Sequence, residues 1–270
     1  MTTDTPREHS IRLAVQIHPQ HASYDAMRDA AIEAEERGVD VVFNWDHFYP
    51  LSGDPDGAHF ECWTQLASFA EVTRRVEIGP LVTGNSYRNP NLLADMARTV
   101  DHISGGRLIL GIGSGWFERD YDEYGYDFGT AGNRLRALRR DLAIIEERLK
   151  RLNPPPRRDL PILVGGGGEK LTLRITAEHA DIWHGFGDPP TIRHKNKVLD
   201  GHCRAIGRDP AEIERSTGIR RNSWEDPSAG DRLVEAGATL LTFGIGGPVY
   251  DLAFLDRWVE WRDEANARRR

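Results

Sequence analysis

Cysteine is nearly absent from this chain of 270 residues: Cys62 and Cys203 cannot build a disulfide framework, and neither stands in a spacing that would hold zinc. That usage fits a reducing cytosol, so a cytoplasmic protein is expected. Lysine is almost as scarce. The only four are Lys150, Lys170, Lys195 and Lys197, all on expected helices or their edges. A Schiff-base aldolase, which needs a lysine aimed into its active site, is disfavoured. No stretch approaches the roughly 18 apolar residues that span a bilayer, and the opening MTTDTPREHSIRLAVQ lacks a basic segment followed by an apolar one. Neither export nor membrane insertion is expected. Excess positive charge is missing too: 35 basic against 42 acidic residues leave a net charge of −7, the wrong sign for holding nucleic acid by bulk attraction. The terminal Arg268-Arg269-Arg270 reads as a solvated helix end. What is present is a 39% hydrophobic share with seven Trp, enough for a sizeable core.

Apolar runs of strand type alternate with amphipathic helical stretches along the chain. The pattern predicts strands over 11–17, 39–44, 76–82, 107–112, 160–164, 181–184, 213–219 and 239–243. Helices are expected over 24–37, 60–74, 91–103, 133–152, 170–178, 191–206, 228–236 and 249–266. Gly38 closes the first helix, Gly105 and Gly106 the third, and Pro154 to Pro156 the fourth. Eight βα units of about 34 residues, with no composition break to mark a linker, argue for one closed (β/α)8 TIM barrel of the α/β class over 1–270. A doubly wound sheet is the disfavoured alternative.

In such barrels the chemistry sits where strands run into loops at the C-terminal face. Converging there are His18, Trp45-Asp46-His47-Phe48, Thr83-Gly84-Asn85, Gly113-Ser114-Gly115-Trp116, Gly165 to Gly168, and His184-Gly185. The glycine runs both leave buried strands, and the second feeds a helix, so their amides suit a phosphate as well as plain tight turns. Asp46 and His47 read either as an acid/base pair or as a hydrogen-bonded structural pair. Adjacent residues on an extended strand point to opposite faces, which weighs against both meeting one substrate. His18 and His184 read as pocket wall. Trp45, Phe48, Trp116, Phe117 and Phe186 suit a flat conjugated ligand, although such rings also pack cores. No metal site is expected: hydrolytic metal barrels carry clustered His and carboxylates such as His-x-His, and here Pro19-Gln20 separates His18 from His21.

The segments WDHF at 45–48, GPLVTGNSYRNPNLLADMARTVDHISGGRLILGIGSGWFERDYDEYG at 79–125 and ILVGGGGEKLTLRITAEHADIWHGFG at 162–187 resemble the bacterial luciferase-like monooxygenase superfamily. Within it the chain is similar to the deazaflavin branch, the coenzyme F420-dependent oxidoreductases. The resemblance implies a (β/α)8 barrel that holds a flavin or deazaflavin across its C-terminal mouth. It implies that Asp46 and Thr83 contact the ring system and that Asn85 neighbours it. Gly113, Ser114 and Gly115 should run beside the ring and its ribityl chain, and Gly166, Gly167 and Gly168 should meet the phosphate. His47 matches a residue proposed as proton donor in some deazaflavin dehydrogenases, which makes it the candidate catalytic residue. The family often carries a non-proline cis peptide at the third strand, here within 81–84.

Two departures narrow the reading. Where sugar-phosphate dehydrogenases of this branch carry a catalytic Glu after Gly-x-Gly, this chain has Ser114, and their anion-binding lysines have no counterpart. A sugar phosphate is therefore not the expected substrate. No large insertion separates the seventh and eighth strands to form a lid. The expected function is F420-dependent hydride transfer with a small organic substrate. Alternatives are an FMN-dependent monooxygenase served by a partner FMN reductase and oxygen, and a flavin- or deazaflavin-binding protein without turnover. Arg88, Arg119 and Arg193 are candidates for holding the acidic tail of F420. Family members often pair barrels through helices, which is compatible with a homodimer, although no apolar stripe in the sequence establishes one.

Overall fold

The computed structural model describes residues 9–269. The first eight residues, part of the opening segment read above, and Arg270 lie outside the described residues. Successive side chains of a strand face opposite ways, and the apolar residues sort accordingly. From β1 (Arg12–Ile17), Leu13, Val15 and Ile17 join the large apolar layer under the helices. Ala14 belongs instead with Val41, Phe43, Ile109, Leu163, Ile182 and Leu240, the smaller cluster that fills the barrel.

The remaining strands are β2 (Val41–Asn44), β3 (Glu77–Pro80), β4 (Thr83–Gly84), β5 (Leu110–Gly113), β6 (Ile162–Gly165), β7 (Ile182–Gly185), β8 (Glu214–Gly218) and β9 (Leu240–Ile245). All pair in parallel, in the order β3-β2-β1-β9-β8-β7-β6-β5-β4. The two ends of that order are consecutive pieces of one barrel strand. Around them the ring closes: Ile78 N donates to Arg107 O at 2.9 Å and Ile109 N to Ile78 O at 2.8 Å. The barrel thus has the eight strand positions that the sequence pattern predicts, except that the third, expected to run unbroken over 76–82, is interrupted at Leu81-Val82. That peptide bond is cis, inside the expected window. Gln16, pointing into the barrel, donates from Nε2 to the Leu81 carbonyl at 2.5 Å. The seam between β3 and β5 is so tight that a Cβ on Gly111 would lie 1.9 Å from the Pro80 carbonyl oxygen, so only glycine fits.

Eight helices follow strands as expected: α1 (Tyr24–Glu36), α2 (Cys62–Val72), α3 (Pro90–Ser104), α5 (Ala131–Arg151), α6 (Thr172–His179), α7 (Pro189–Ala205), α8 (Ser228–Glu235) and α9 (Leu255–Arg269). Local chemistry starts them. The Ser23 hydroxyl accepts from Ala26 N at the head of α1, and Asn89 caps α3, whose first residue is a proline. The final helix begins at Leu255 rather than at 249, leaving a loop after Pro248. Among the described residues a further helix, α4 (Glu118–Tyr124), occupies the segment after β5, which the sequence pattern reads as a glycine- and tyrosine-rich loop. Among the described residues no helix is long and apolar enough to cross a membrane.

Candidate active site

The C-terminal strand ends surround a cavity of about 410 Å³, within the usual ~300–1,000 Å³ of small-molecule sites. Trp45, Leu81, Val82, Trp116 and Phe186 give it apolar walls, and Gly113, Gly115, Gly165 and Gly166 form an edge without side chains. Gly115 is held at φ 80°, and a Cβ there would fall 1.8 Å from the Tyr121 hydroxyl. The backbone can lie bare at this edge only because the residue is glycine.

Asp46 and His47 both border this cavity, but they do not pair with each other. Beyond the end of β2 each side chain finds a separate partner. The Asp46 carboxylate is buried and accepts from Thr83 Oγ1 at 2.5 Å, from Gly84 N at 3.1 Å, and from two Arg88 nitrogens at 2.5 and 3.1 Å. Thr83 in turn accepts from Trp63 Nε1 at 3.0 Å. Arg88 also reaches Glu61 at 2.8 Å. Burial opposes its charge, yet the two carboxylates outweigh burial and hold its pKa above the ordinary arginine range. Asp46 and Thr83 are thus held by partners within the protein, and both border the cavity.

His47 is the open member. Its Nδ1 lies 2.7 Å from Oδ2 of Asp120, a fully buried carboxylate on α4. Tyr87 Oη donates to the same oxygen at 2.9 Å, and Phe48 N donates to the other at 3.1 Å. Burial and the Asp120 charge push the Tyr87 phenol up, so it stays a donor at neutral pH. With Nδ1 committed to a carboxylate, Nε2 is the imidazole nitrogen left for the cavity. Trp45, Trp116 and Phe117 stand edge-on around the ring, their centroids 6.0, 5.7 and 5.7 Å away.

The other sequence candidates fall in several places. Ser114 borders the cavity. Asn85 does not: it is buried and donates to Asp141 of α5 at 2.8 Å. Gly166 lines the cavity, whereas Gly167 and Gly168 lie beyond it on the way to α6, and nothing stands within 4 Å of a Cβ placed on Gly167. His184 lines the cavity, with Nδ1 2.8 Å from Ser216 Oγ, and burial lowers its pKa to about 4. His18 stacks on Trp45 at 4.2 Å, and burial also lowers its pKa to about 4. Trp45, Trp116 and Phe186 reach the cavity. Phe48 instead stacks on Tyr124 at 3.9 Å. The three arginines proposed for an acidic tail are placed otherwise: Arg88 is spent on Asp46 and Glu61, Arg119 binds Asp56 at 2.5 Å and covers Tyr49, and Arg193 faces a groove with Asn196 and Val234 away from the mouth.

Sequence reasoning missed Asp120, Tyr87, Gln16 and Ser216. For Asp120 a signal existed. In the run from Glu118 to Tyr124, Asp120, Tyr121 and Tyr124 stand at helical spacing, and the first two are buried. Among the described residues, no three His, Cys, Asp or Glu side chains gather in a way that could hold a metal ion.

Comparison with known proteins places the chain in a family. The luciferase-like monooxygenase family model matches residues 9–241, and the chain belongs to that family. An F420-dependent glucose-6-phosphate dehydrogenase of Kineococcus radiotolerans is 27% identical over 238 residues, which is 81% of this chain and 70% of that protein. An uncharacterized protein of Mycobacterium tuberculosis is 27% identical over 181 residues, and the match spans 60% of this chain but only 64% of that relative's length. Among solved structures, an F420-dependent secondary alcohol dehydrogenase in complex with an F420-acetone adduct superposes with a TM-score of 0.82 at 16% identity, covering 93% of this chain and 98% of the other. That likeness is one of fold.

Proposed function

We propose that this protein is a coenzyme F420-dependent oxidoreductase that moves a hydride between the deazaflavin and a small organic substrate. The observation that carries the reading is His47, fixed by a buried carboxylate at one nitrogen and open at the other to an apolar, glycine-edged cavity. The Kineococcus relative and the alcohol dehydrogenase are both named for the same cofactor, which supports this reading.

The residues present fit such a group. A flat ring system suits apolar walls and the bare backbone of Gly113 to Gly115. The helix α6 has no side-chain cap, and although Leu173 N donates to Gly168 O at 3.0 Å, Gly167 just ahead of the helix has open space where an anion would sit. Asp46 and Thr83, held in place by Arg88, Gly84 and Trp63, border the cavity and form the floor of that seat, where they would contact the ring system. Bound there, the deazaflavin supplies the ring carbon that carries the hydride. His47 gives or takes the accompanying proton at Nε2. Asp120 sets its tautomer through Nδ1–H and stabilises the imidazolium. Cys62 and Cys203, both buried free thiols, accord with work in a reducing cytoplasm.

The family's own description favours a second reading, in which reduced FMN and oxygen take part in a monooxygenase reaction. Parallel fluorescence titrations of the purified protein with F420 and with FMN separate the two. Saturation by F420 at lower concentration is expected; preference for FMN overturns the first reading. Tight binding with no hydride transfer to any acceptor would instead make the protein a cofactor carrier.

A further inference from the structure

A second concave site lies at the N-terminal end of the barrel, opposite the mouth, and no step of the proposed reaction uses it. It is a groove of about 470 Å³ between α7 and α8 that reaches Ile213 and Thr239, the residues just ahead of β8 and β9. Four cationic side chains line it against two carboxylates, in a chain whose net charge is −7. One of the carboxylates is already spent: Asp200 accepts from the buried Arg215 at 2.9 Å, and Arg204 stands 3.8 Å from its other oxygen. The other, Glu235, is exposed at the end of α8. Arg193 and Lys197 are exposed and have no ion pair or hydrogen bond among the described residues. Four residues apart on α7, they are neighbours on one face, and like charges so placed destabilise a helix unless an anion lies between them.

The base of the groove is unfinished in a second way. Thr239 lines it, is only 9% exposed, and has no hydrogen-bond partner at Oγ1. Asn196 lines it too, and its Nδ2 donates to the Ala236 carbonyl at 2.8 Å, which fixes the amide and leaves Oδ1 buried without a donor. Buried polar atoms are nearly always paired, so two orphans under one groove mark a place where a polar molecule completes the structure. A hydroxyl group suits both, because it can accept from the threonine O–H and donate to the amide oxygen.

We propose that this groove is a binding site for a small phosphorylated hydroxy compound, with its phosphate between Arg193 and Lys197 and its hydroxyl groups toward Thr239 and Asn196. A phosphate monoester carries about −1.5 to −2 charges at pH 7, enough to neutralise both cations, where a single carboxylate leaves one over. The volume leaves room for an organic body beside Val234 and Ala236. The site is independent of the mouth and of which cofactor sits there.

The test is calorimetric titration of the full chain, at fixed ionic strength, with glycerol 3-phosphate, with methyl phosphate as the anion lacking hydroxyls, and with glycerol as the neutral probe. Glycerol 3-phosphate is expected to saturate one site in the groove and to bind about fivefold or more tighter than methyl phosphate, while glycerol shows no saturable binding. The paired substitution Arg193→Gln with Lys197→Gln should weaken glycerol 3-phosphate about tenfold or more, and Lys197→Arg should retain its affinity. Both side chains are exposed, so the double variant should keep its thermal midpoint, and its F420 titration should stay within about twofold of wild type, which separates the groove from the mouth. Thr239→Val should weaken glycerol 3-phosphate about threefold or more and leave methyl phosphate unchanged. Wild-type affinity for glycerol 3-phosphate in the folded double variant, or no saturable binding to the wild type, overturns the proposal. Equal binding of methyl phosphate and glycerol 3-phosphate overturns the part assigned to the hydroxyl groups.

Discussion

Replacing Asp120 by Asn keeps the side chain's size and removes its charge, which isolates what the carboxylate does for His47. In the wild type one oxygen accepts from His47 Nδ1 at 2.7 Å and Tyr87 Oη at 2.9 Å, and the other from Phe48 N at 3.1 Å, in a group with no solvent exposure. An amide offers one accepting oxygen and two N–H donors. If its oxygen faces His47 and Tyr87, the NH2 confronts the Phe48 N–H. If it faces Phe48, the NH2 confronts His47 and forces the other tautomer, with the proton on Nε2. Either way at least one buried donor loses its partner, at about 1–3 kcal/mol of stability. The imidazolium also loses its counter-charge. General acid/base contributions run to about 100–10,000-fold, so a loss of about 100-fold or more in the hydride step is expected. Cofactor affinity should hold, because Asp120 does not border the cavity. The assay is single turnover with prebound reduced cofactor across a pH series, alongside cofactor titration and urea unfolding. A positioning role changes the shape of the pH profile as well as the rate. An Asp120→Asn enzyme with wild-type rate and profile would refute the assignment of His47 and its orienting carboxylate together.

Two further outcomes follow from the buried charges. Arg88→Gln leaves the Asp46 carboxylate buried without its cation and should cost about 3–5 kcal/mol in urea unfolding, with a loss under ~1 kcal/mol counting against a buried ion pair. His184 has its folded pKa lowered to about 4 by burial, so between pH 6.5 and 4 the unfolded chain binds a proton that the folded one refuses. Its contribution is present above pH 6.5 and is lost as the pH falls toward 4, on the order of 3 kcal/mol at about 1.36 kcal/mol per unit. His184→Asn should flatten that acid limb in urea unfolding; identical pH dependence of wild type and variant would sink the idea.

The barrel was legible because its signal is redundant. Strand residues such as Leu13, Val15 and Ile17 alternate with barrel-filling positions, and glycine and proline stops punctuate the helices. What failed was local. The third strand reads as one apolar run, and no pattern of side chains announces that its pairing passes from β2, as far as Leu81, to β5 from Thr83 on. Tertiary partners were harder still. Asp46 and His47 are neighbours in sequence and suggest a pair, but sequence adjacency carries no distance information once the strand has ended. The carboxylate that orients His47 lies 73 residues later in a segment dominated by tyrosine and acid, and Asp122 and Glu123 look equally eligible there. Arg88 looked available for an anion because its two carboxylate partners, Asp46 and Glu61, are remote in sequence.

The placement of α4 bears on how specificity is built. A (β/α)8 repeat calls for one helix after each strand, and α5 already answers for β5, so α4 is an addition to the repeat. Yet it carries Asp120, and the turn that leads into it carries Trp116 and Phe117, which flank His47. On the proposed reading, proton delivery by His47 and the aromatic rings beside it thus hang on the same seven-residue helix and its entry. The proposed cofactor seat draws also on the glycine strand ends and on the Asp46–Arg88 pair behind them. Tyr121 of the same helix backs Gly115 at the glycine edge, so exchanging the segment 116–125 should disturb both the His47 contacts and that edge, whereas changes at Gly165 or Gly166 should weaken cofactor binding and leave the His47–Asp120 pair in place.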